Sequence, residues 1–354
     1  MKKPVLAIPL GDPGGIGPEV VFKALCHPEI LRRSDCLVIG ATSVLDSLRN
    51  VISSKLTVHQ VGQTVLPDLQ KKAVNFLNIE DQAAEILRRI PESRRKRFLK
   101  KGSGRGFESG KVSLLNAAIA HASIRKASEL AGNGFVQGIV TAPVNKTAMR
   151  LIDPAFQGHT EFLARRAGVK SFAMMFVSHR LKVTLVTIHV PLKKVSGLIR
   201  PDKVLEKISL THRFLREKYG IIKPRIAVCA LNPHGSETGT EEKTRIVPAV
   251  ESAKRKGIQV TGPLSADQLF HDAYEERYDA VISMYHDQGL APFKMIAFHD
   301  GVNVTLGLPF VRTSPDHGTA FDIAYRGRAD ERSMVSAIQL AQKLLTPKTR
   351  KTRS

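Results

Sequence analysis

The sequence is poor in several things that mark common protein classes. It has no tryptophan, and aromatic residues are 6% of its 354 positions, so aliphatic side chains must fill any core. There are three cysteines, Cys26, Cys36 and Cys229, an odd and small set that excludes a disulfide framework and contains no CxxC metal pair. Their apolar neighbourhoods, "CLVIG" and "AVCALN", predict buried free thiols in a reducing, cytoplasmic setting. No run approaches the roughly 20 apolar residues of a membrane helix. The start, "MKKPVLAIPLGDPGG", pairs lysines with an apolar run, but Asp12 and several glycines interrupt it. It reads as a first core strand and not as a secretory leader. Acidic residues are scarce too: 32 Asp+Glu face 54 Lys+Arg, a net charge of +22.

The excess of positive charge gathers in "RRIPESRRKRFLKKGSGRG" (88–106) and in the tail "TPKTRKTRS" (346–354). Zinc-finger spacing, aromatic-rich RNA motifs and a recognition helix are all missing, so a nucleic-acid partner is not expected. The remaining effect of the charge is a field that attracts an anionic substrate and a dinucleotide.

Hydrophobic residues make up 42% of the chain, enough for a sizeable core. Apolar runs of strand length alternate with helical patterns: "VLAIPL", "CLVIG", "GIVTAP", "RIAVCALNP", "YDAVISMYH" and "GVNVTLGLP" against helices at 114–131 and 330–345. That alternation predicts an α/β protein, a mostly parallel sheet with helices on both faces. "FAMMFVS" and "LKVTLVTIHV" flank "HR" as an antiparallel pair and suggest a second subdomain. In such folds chemistry gathers at the carboxyl ends of strands.

The polar motifs sit at those positions. "GDPGGIGPE" (11–19) joins a strand to a helix, where backbone N–H groups can bind an anion. Its spacing fits neither GxGxxG nor GK[ST], and a purely structural turn explains it equally well. "TAPVNK" places Thr141, Asn145 and Lys146 in a polar cluster or an ordinary turn. "GHTEFLARR" puts His159 and Thr160 at the mouth of a helix. Thr160 is either its N-cap or a binding group. His159 would stay neutral beside the positive helix end and could hydrogen-bond a substrate oxygen.

His189, His234 and His286 each follow an apolar run, and any one alone reads as an ordinary core or loop residue. Together, at the ends of three expected strands, their imidazoles suit Zn²⁺ or a related cation with a position left open. Asp287 either orients His286 or caps the next turn. Lys294, Asn303 and Arg312 offer two cations and an amide suited to phosphate or carboxylate, although each has a plain solvated reading. His317, ahead of an expected helix, is a lesser candidate for cofactor contact.

With "YHDQGLAPFK", "NPHG", "GPLSAD" and "GVNVTLGLPFVRTSPDHGTA" in order beside the motifs above, the chain resembles, over nearly its whole length, the 4-hydroxythreonine-4-phosphate dehydrogenase family of vitamin B6 biosynthesis. The resemblance implies an isopropylmalate-dehydrogenase-like α/β fold with two subdomains around a cleft, about 1–140 plus 295–345 and 141–294, ahead of the basic tail 346–354. It also implies a homodimer whose active sites use both subunits. Position by position, it implies metal ligands His189, His234 and His286, and substrate contacts His159, Thr160, Lys294, Asn303 and Arg312. The implied cofactors are NAD or NADP and a divalent cation (Zn, Mg or Co). The implied reaction is oxidation of 4-phosphohydroxy-L-threonine. No catalytic base and no cofactor-binding residues are assigned.

Three features depart from the family pattern: a shorter loop after His234 in "NPHGSETGTEE", the basic stretch 88–106 and the basic tail. The rival readings are a paralogous dehydrogenase for a four-carbon sugar-acid phosphate or a dihydrodiol acid, a nucleic-acid-binding protein, and an acyltransferase using acyl phosphates.

Overall fold

The computed structural model describes residues 3–49, 56–62, 69–92, 107–235 and 237–347. Residues 93–106 of the basic stretch and 348–354 of the tail lie outside them. Twelve strands occur among the described residues: β1 (Val5–Pro9), β2 (Asp35–Gly40), β3 (Val58–Val61), β4 (Val74–Asn78), β5 (Gly138–Val140), β6 (Ala173–Val177), β7 (Lys182–Leu185), β8 (Ile226–Cys229), β9 (Val260–Leu264), β10 (Ala280–Ser283), β11 (Val302–Leu306) and β12 (Val311–Pro315). The chain divides into two compact units, Met1–Gly168 with Pro309–Thr346, and a second built on Val169–Leu308.

In the first unit the strands run β3-β4-β2-β1-β5-β12, every neighbouring pair parallel. Every residue of β1 and of β12 is buried. Parallel strands covered on both faces read as unbroken apolar runs, which is why "VLAIP" and "CLVIG" were recognisable. Parallel neighbours need crossover segments, and helices supply them. Gly17–Leu25 follows β1, with Pro18 in its first turn. Leu114–Gly132 precedes β5, and its N-cap Ser113 accepts from the Asn116 N–H. Arg332–Leu345 packs on β12 and β5.

In the second unit the order is β11-β6-β7-β10-β8-β9. β6 pairs antiparallel with both β7 and β11, as the 172–190 pattern led us to expect for the first of these pairs. β7, β10, β8 and β9 are parallel neighbours. Phe176, Val183, Leu185, Val281, Leu269 and Phe293 form the heart of this unit's core. The helix Pro201–Tyr219 is fastened to β7 by a buried Thr184–Thr211 hydroxyl pair at 2.8 Å.

The unit boundaries differ from 140/141 and 294/295. The helices Lys146–Ile152 and His159–Arg166 belong to the first unit, where Lys146–Ile152 packs against Leu114–Gly132. β11 belongs to the second unit because it pairs with β6. Cys36 and Cys229 are buried thiols as expected, but Cys26 is only half-buried, at the end of its helix.

Candidate active site

Arg312 is the second residue of β12, opposite Ile139 of β5, and is only 3% exposed. Its Nη2 donates to Thr141 Oγ1 at 2.8 Å and its Nη1 to Thr160 Oγ1 at 3.5 Å. Thr141 is held just past β5 by its own N–H, which donates to Thr313 O at 3.0 Å. Burial pulls the Arg312 pKa down to about 10, with Glu161 acting in the opposite direction. The two hydroxyls satisfy N–H groups but do not cancel the charge.

His159 opens the helix His159–Arg166. Gly158 is the N-cap residue, so Thr160 does not cap this helix and turns its hydroxyl to Arg312 instead. His159 is half-buried. Burial first, then Arg312 and Lys146, hold its pKa well below the ordinary imidazole range. Phe156 meets the ring edge-on at 6.1 Å. Lys146 begins the neighbouring helix, which Asn145 caps by accepting from the Ala148 N–H at 2.9 Å. The sequence offered Thr141 and Lys146 only as a turn or a polar cluster; they stand beside Arg312 and His159. The result is a guanidinium, an ammonium, a neutral imidazole and two hydroxyls gathered in one unit, a set suited to an oxyanion.

The glycine-rich turn is spent differently. The N–H groups of Gly14 and Gly15 donate to Asp12, and that of Ile16 to Thr319 O. Residues 11–20 are buried. The structural reading of this turn therefore wins over the anion-binding one. His317 directs Nδ1 toward Gly318 O at 3.1 Å.

In the second unit, β7, β10 and β8 are adjacent and parallel, and His189, His286 and His234 stand just beyond their carboxyl ends. His189 does not end its strand, because β7 stops at Leu185. His286 begins a helix, His286–Ala297, that carries Pro292 in its interior. The His189 and His286 ring centroids are 5.7 Å apart. Asp287 Oδ1 lies 2.6 Å from His286 Nδ1, which answers in favour of orienting the imidazole. His234 sits in a left-handed turn at φ 54°. Among the described residues no three His, Cys, Asp or Glu side chains stand close enough together to hold a metal ion. The donor chemistry fits a divalent cation, and one chain pairs two of the three imidazoles.

Lys294, on the helix that His286 opens, lies 5.5 Å from the centre of the Phe298 ring. Asn303 on β11 is half-buried, with its Oδ1 buried and unpartnered among the described residues. A cavity of about 890 Å³ in this unit is lined by Asn232, His234, Asp267, Tyr285, Gln288 and Met295, among others.

A buried guanidinium among neutral hydroxyls in one unit, and paired imidazoles beyond parallel strand ends in the other, are the chemistry of an α/β enzyme. The chain belongs to the family described as pyridoxal phosphate biosynthetic protein PdxA, which matches residues 32–341, and it is an oxidoreductase. It is 43% identical over 344 residues to the 4-hydroxythreonine-4-phosphate dehydrogenase of Desulforapulum autotrophicum, covering 96% of this chain and 95% of that one. It is 39% identical over 347 residues to the D-threonate 4-phosphate dehydrogenase of Salmonella typhimurium, covering 97% and 100%. The solved structure of 4-hydroxythreonine-4-phosphate dehydrogenase from Klebsiella pneumoniae superposes with a TM-score of 0.81 at 34% identity, over 97% of this chain and 99% of that one. No helix among the described residues is long and apolar enough to cross a membrane.

Proposed function

We propose that the chain is a cytoplasmic 4-hydroxythreonine-4-phosphate dehydrogenase, oxidising the secondary alcohol of 4-phosphohydroxy-L-threonine with NAD⁺ or NADP⁺ and a divalent cation. The observation that carries this reading is the buried Arg312 guanidinium among Thr141, Thr160 and His159, chemistry suited to a phosphate or carboxylate. Oxidation gives 2-amino-3-oxo-4-phosphooxybutanoate. This β-keto acid loses CO₂ to leave 3-amino-2-oxopropyl phosphate, a precursor of pyridoxine 5'-phosphate.

Arg312, Thr160 and His159 bind one anionic group of the substrate. Arg312 supplies charge, Thr160 a hydroxyl, and His159 a neutral hydrogen-bonding edge that adds no competing charge. Lys294 binds an anionic group as a point charge, and Asn303 Oδ1 accepts from a substrate donor. His189, His234 and His286 hold the cation. When bound, the nicotinamide supplies a hydride acceptor and the cation (Zn, Mg or Co) a Lewis acid that acidifies the alcohol.

We further propose a homodimer with shared active sites, so that three imidazoles need not come from one copy. Its support is the helices that follow the paired histidines. Leu192–Leu198 exposes Leu192 at 70%, and His286–Ala297 with its C-cap Phe298 exposes Met295 at 84% and Phe298 at 69%. Large apolar side chains this exposed on the helices that follow the histidines suit an interaction face.

A second reading, oxidation of D-threonate 4-phosphate, is favoured by the full-length relative of that name. Metal dependence separates the whole proposal from one without a cation. His189→Ala, His234→Ala and His286→Ala should each abolish NAD(P)H formation while leaving circular dichroism unchanged. Normal turnover in the triple variant after chelation would sink the metal assignment.

A further inference from the structure

The glycine-rich turn contains an acid that the proposed chemistry does not use. Asp12 is 1% exposed. Its Oδ1 accepts from the Gly14 N–H at 2.9 Å, and the backbone of Asn145 faces the same carboxylate closely enough to favour its ionised form. Its own N–H donates to Pro143 O at 3.0 Å. Next to it Gly11, at φ +72°, lies so close to the 142–143 backbone that a Cβ would stand 2.3 Å from Pro143 O. The turn and the segment 141–146 are thus laid backbone to backbone, with the Asp12 carboxylate set between them.

That segment carries two members of the anion pocket. Thr141 accepts from Arg312, and Lys146 stands beside His159. Asn145, whose backbone faces the Asp12 carboxylate, sets the start of the Lys146–Ile152 helix through its side chain.

We propose that Asp12 is a positioning residue for the anion pocket, bracing the 141–146 segment so that Thr141 and Lys146 are set against Arg312 and His159. The inference rests on the reading of that pocket as a substrate-anion site. A carboxylate suits the task because it is acceptor-only and can receive N–H groups from two segments at once. An asparagine has a single acceptor oxygen, and its NH₂ would face the second N–H. Burial pushes the Asp12 pKa up to about 6 against both N–H donors.

The test uses the full chain and steady-state kinetics with 4-phosphohydroxy-L-threonine, alongside thermal melting. Asp12→Asn should raise KM roughly three- to tenfold, the loss of about one hydrogen bond, with kcat nearly unchanged and Tm not lowered. Asp12→Glu, which keeps the charge and both acceptors but moves them by a methylene, should raise KM less. If Asp12→Asn folds with a wild-type KM while Arg312→Ala raises it, the inference is overturned and the pocket reading stands. If neither variant changes KM, the pocket reading fails and the inference falls with it. If Asp12→Asn does not fold, Asp12→Glu decides: a folded protein with raised KM supports positioning, and a wild-type KM makes Asp12 a folding residue only.

Discussion

Arg312→Ala is the sharpest perturbation of the proposed anion pocket. Burial pulls this guanidinium well below its ordinary range, to about 10, so the fold bears on the order of 3 kcal/mol to keep the charge buried. The depressed value of a cation is regained as stability only above about pH 10, so no pH dependence arises from it near neutrality. Alanine removes that cost. It also leaves a cavity and takes the donors away from Thr141 and Thr160, which together cost a few kcal/mol. These opposing effects nearly cancel, and Tm should move by only a few degrees.

Binding has no such compensation. Hydrogen bonds from a charged donor are worth roughly 1.5–3 kcal/mol, which corresponds to about ten- to a hundredfold in affinity. Steady-state NAD(P)H formation should therefore show KM for the phosphorylated substrate rising by about that factor, with kcat within a few-fold of wild type. Arg312→Lys, a point charge without the planar fork, should fall between the two. An unchanged KM, or a collapse of Tm with no specific effect on KM, would refute the reasoning and make Arg312 a structural residue.

His121 is pulled down to about 4, chiefly by burial, with Arg125, Arg166 and Arg165 adding to it and Asp153 opposing. A histidine depressed in the folded state contributes stability that is complete above its ordinary 6.5 and lost as pH falls toward 4, up to ~3 kcal/mol. His121→Leu should flatten the decline of Tm across that window, and an unaltered decline would show that other groups govern it. Met295→Asp combined with Phe298→Asp, at two exposed apolar positions, should shift sedimentation toward the monomer and weaken cation binding. A variant that sediments like wild type would remove these residues from any interface.

Much of the architecture was legible because buried parallel strands leave apolar runs: β1, β2, β5, β8 and β10 all announce themselves. β12 did not, because "VRTSP" places Arg312, Thr313 and Ser314 inside the protein, where polarity masks burial. The helix His286–Ala297 was hidden by Gly289 and Pro292. Packing explains the glycine: a Cβ there would come within 2.9 Å of Leu185 Cδ2 and Ser283 Oγ.

The candidate site was legible as residue types at strand ends, not as groupings. Arg312 reaches Thr141 and Thr160 through the pairing of β12 with β5, which leaves no local trace in the sequence. Asp12 accepts from a backbone N–H, that of Gly14, and no side-chain pattern could signal that.

The central claim is which alcohol this chain oxidises. It is tested most directly by following NAD(P)H formation from 4-phosphohydroxy-L-threonine and from D-threonate 4-phosphate in the same preparation, with and without a chelator. The account predicts the higher kcat/KM with 4-phosphohydroxy-L-threonine, lost on chelation and restored by a divalent cation. A higher kcat/KM with D-threonate 4-phosphate, or turnover indifferent to the chelator, would contradict it.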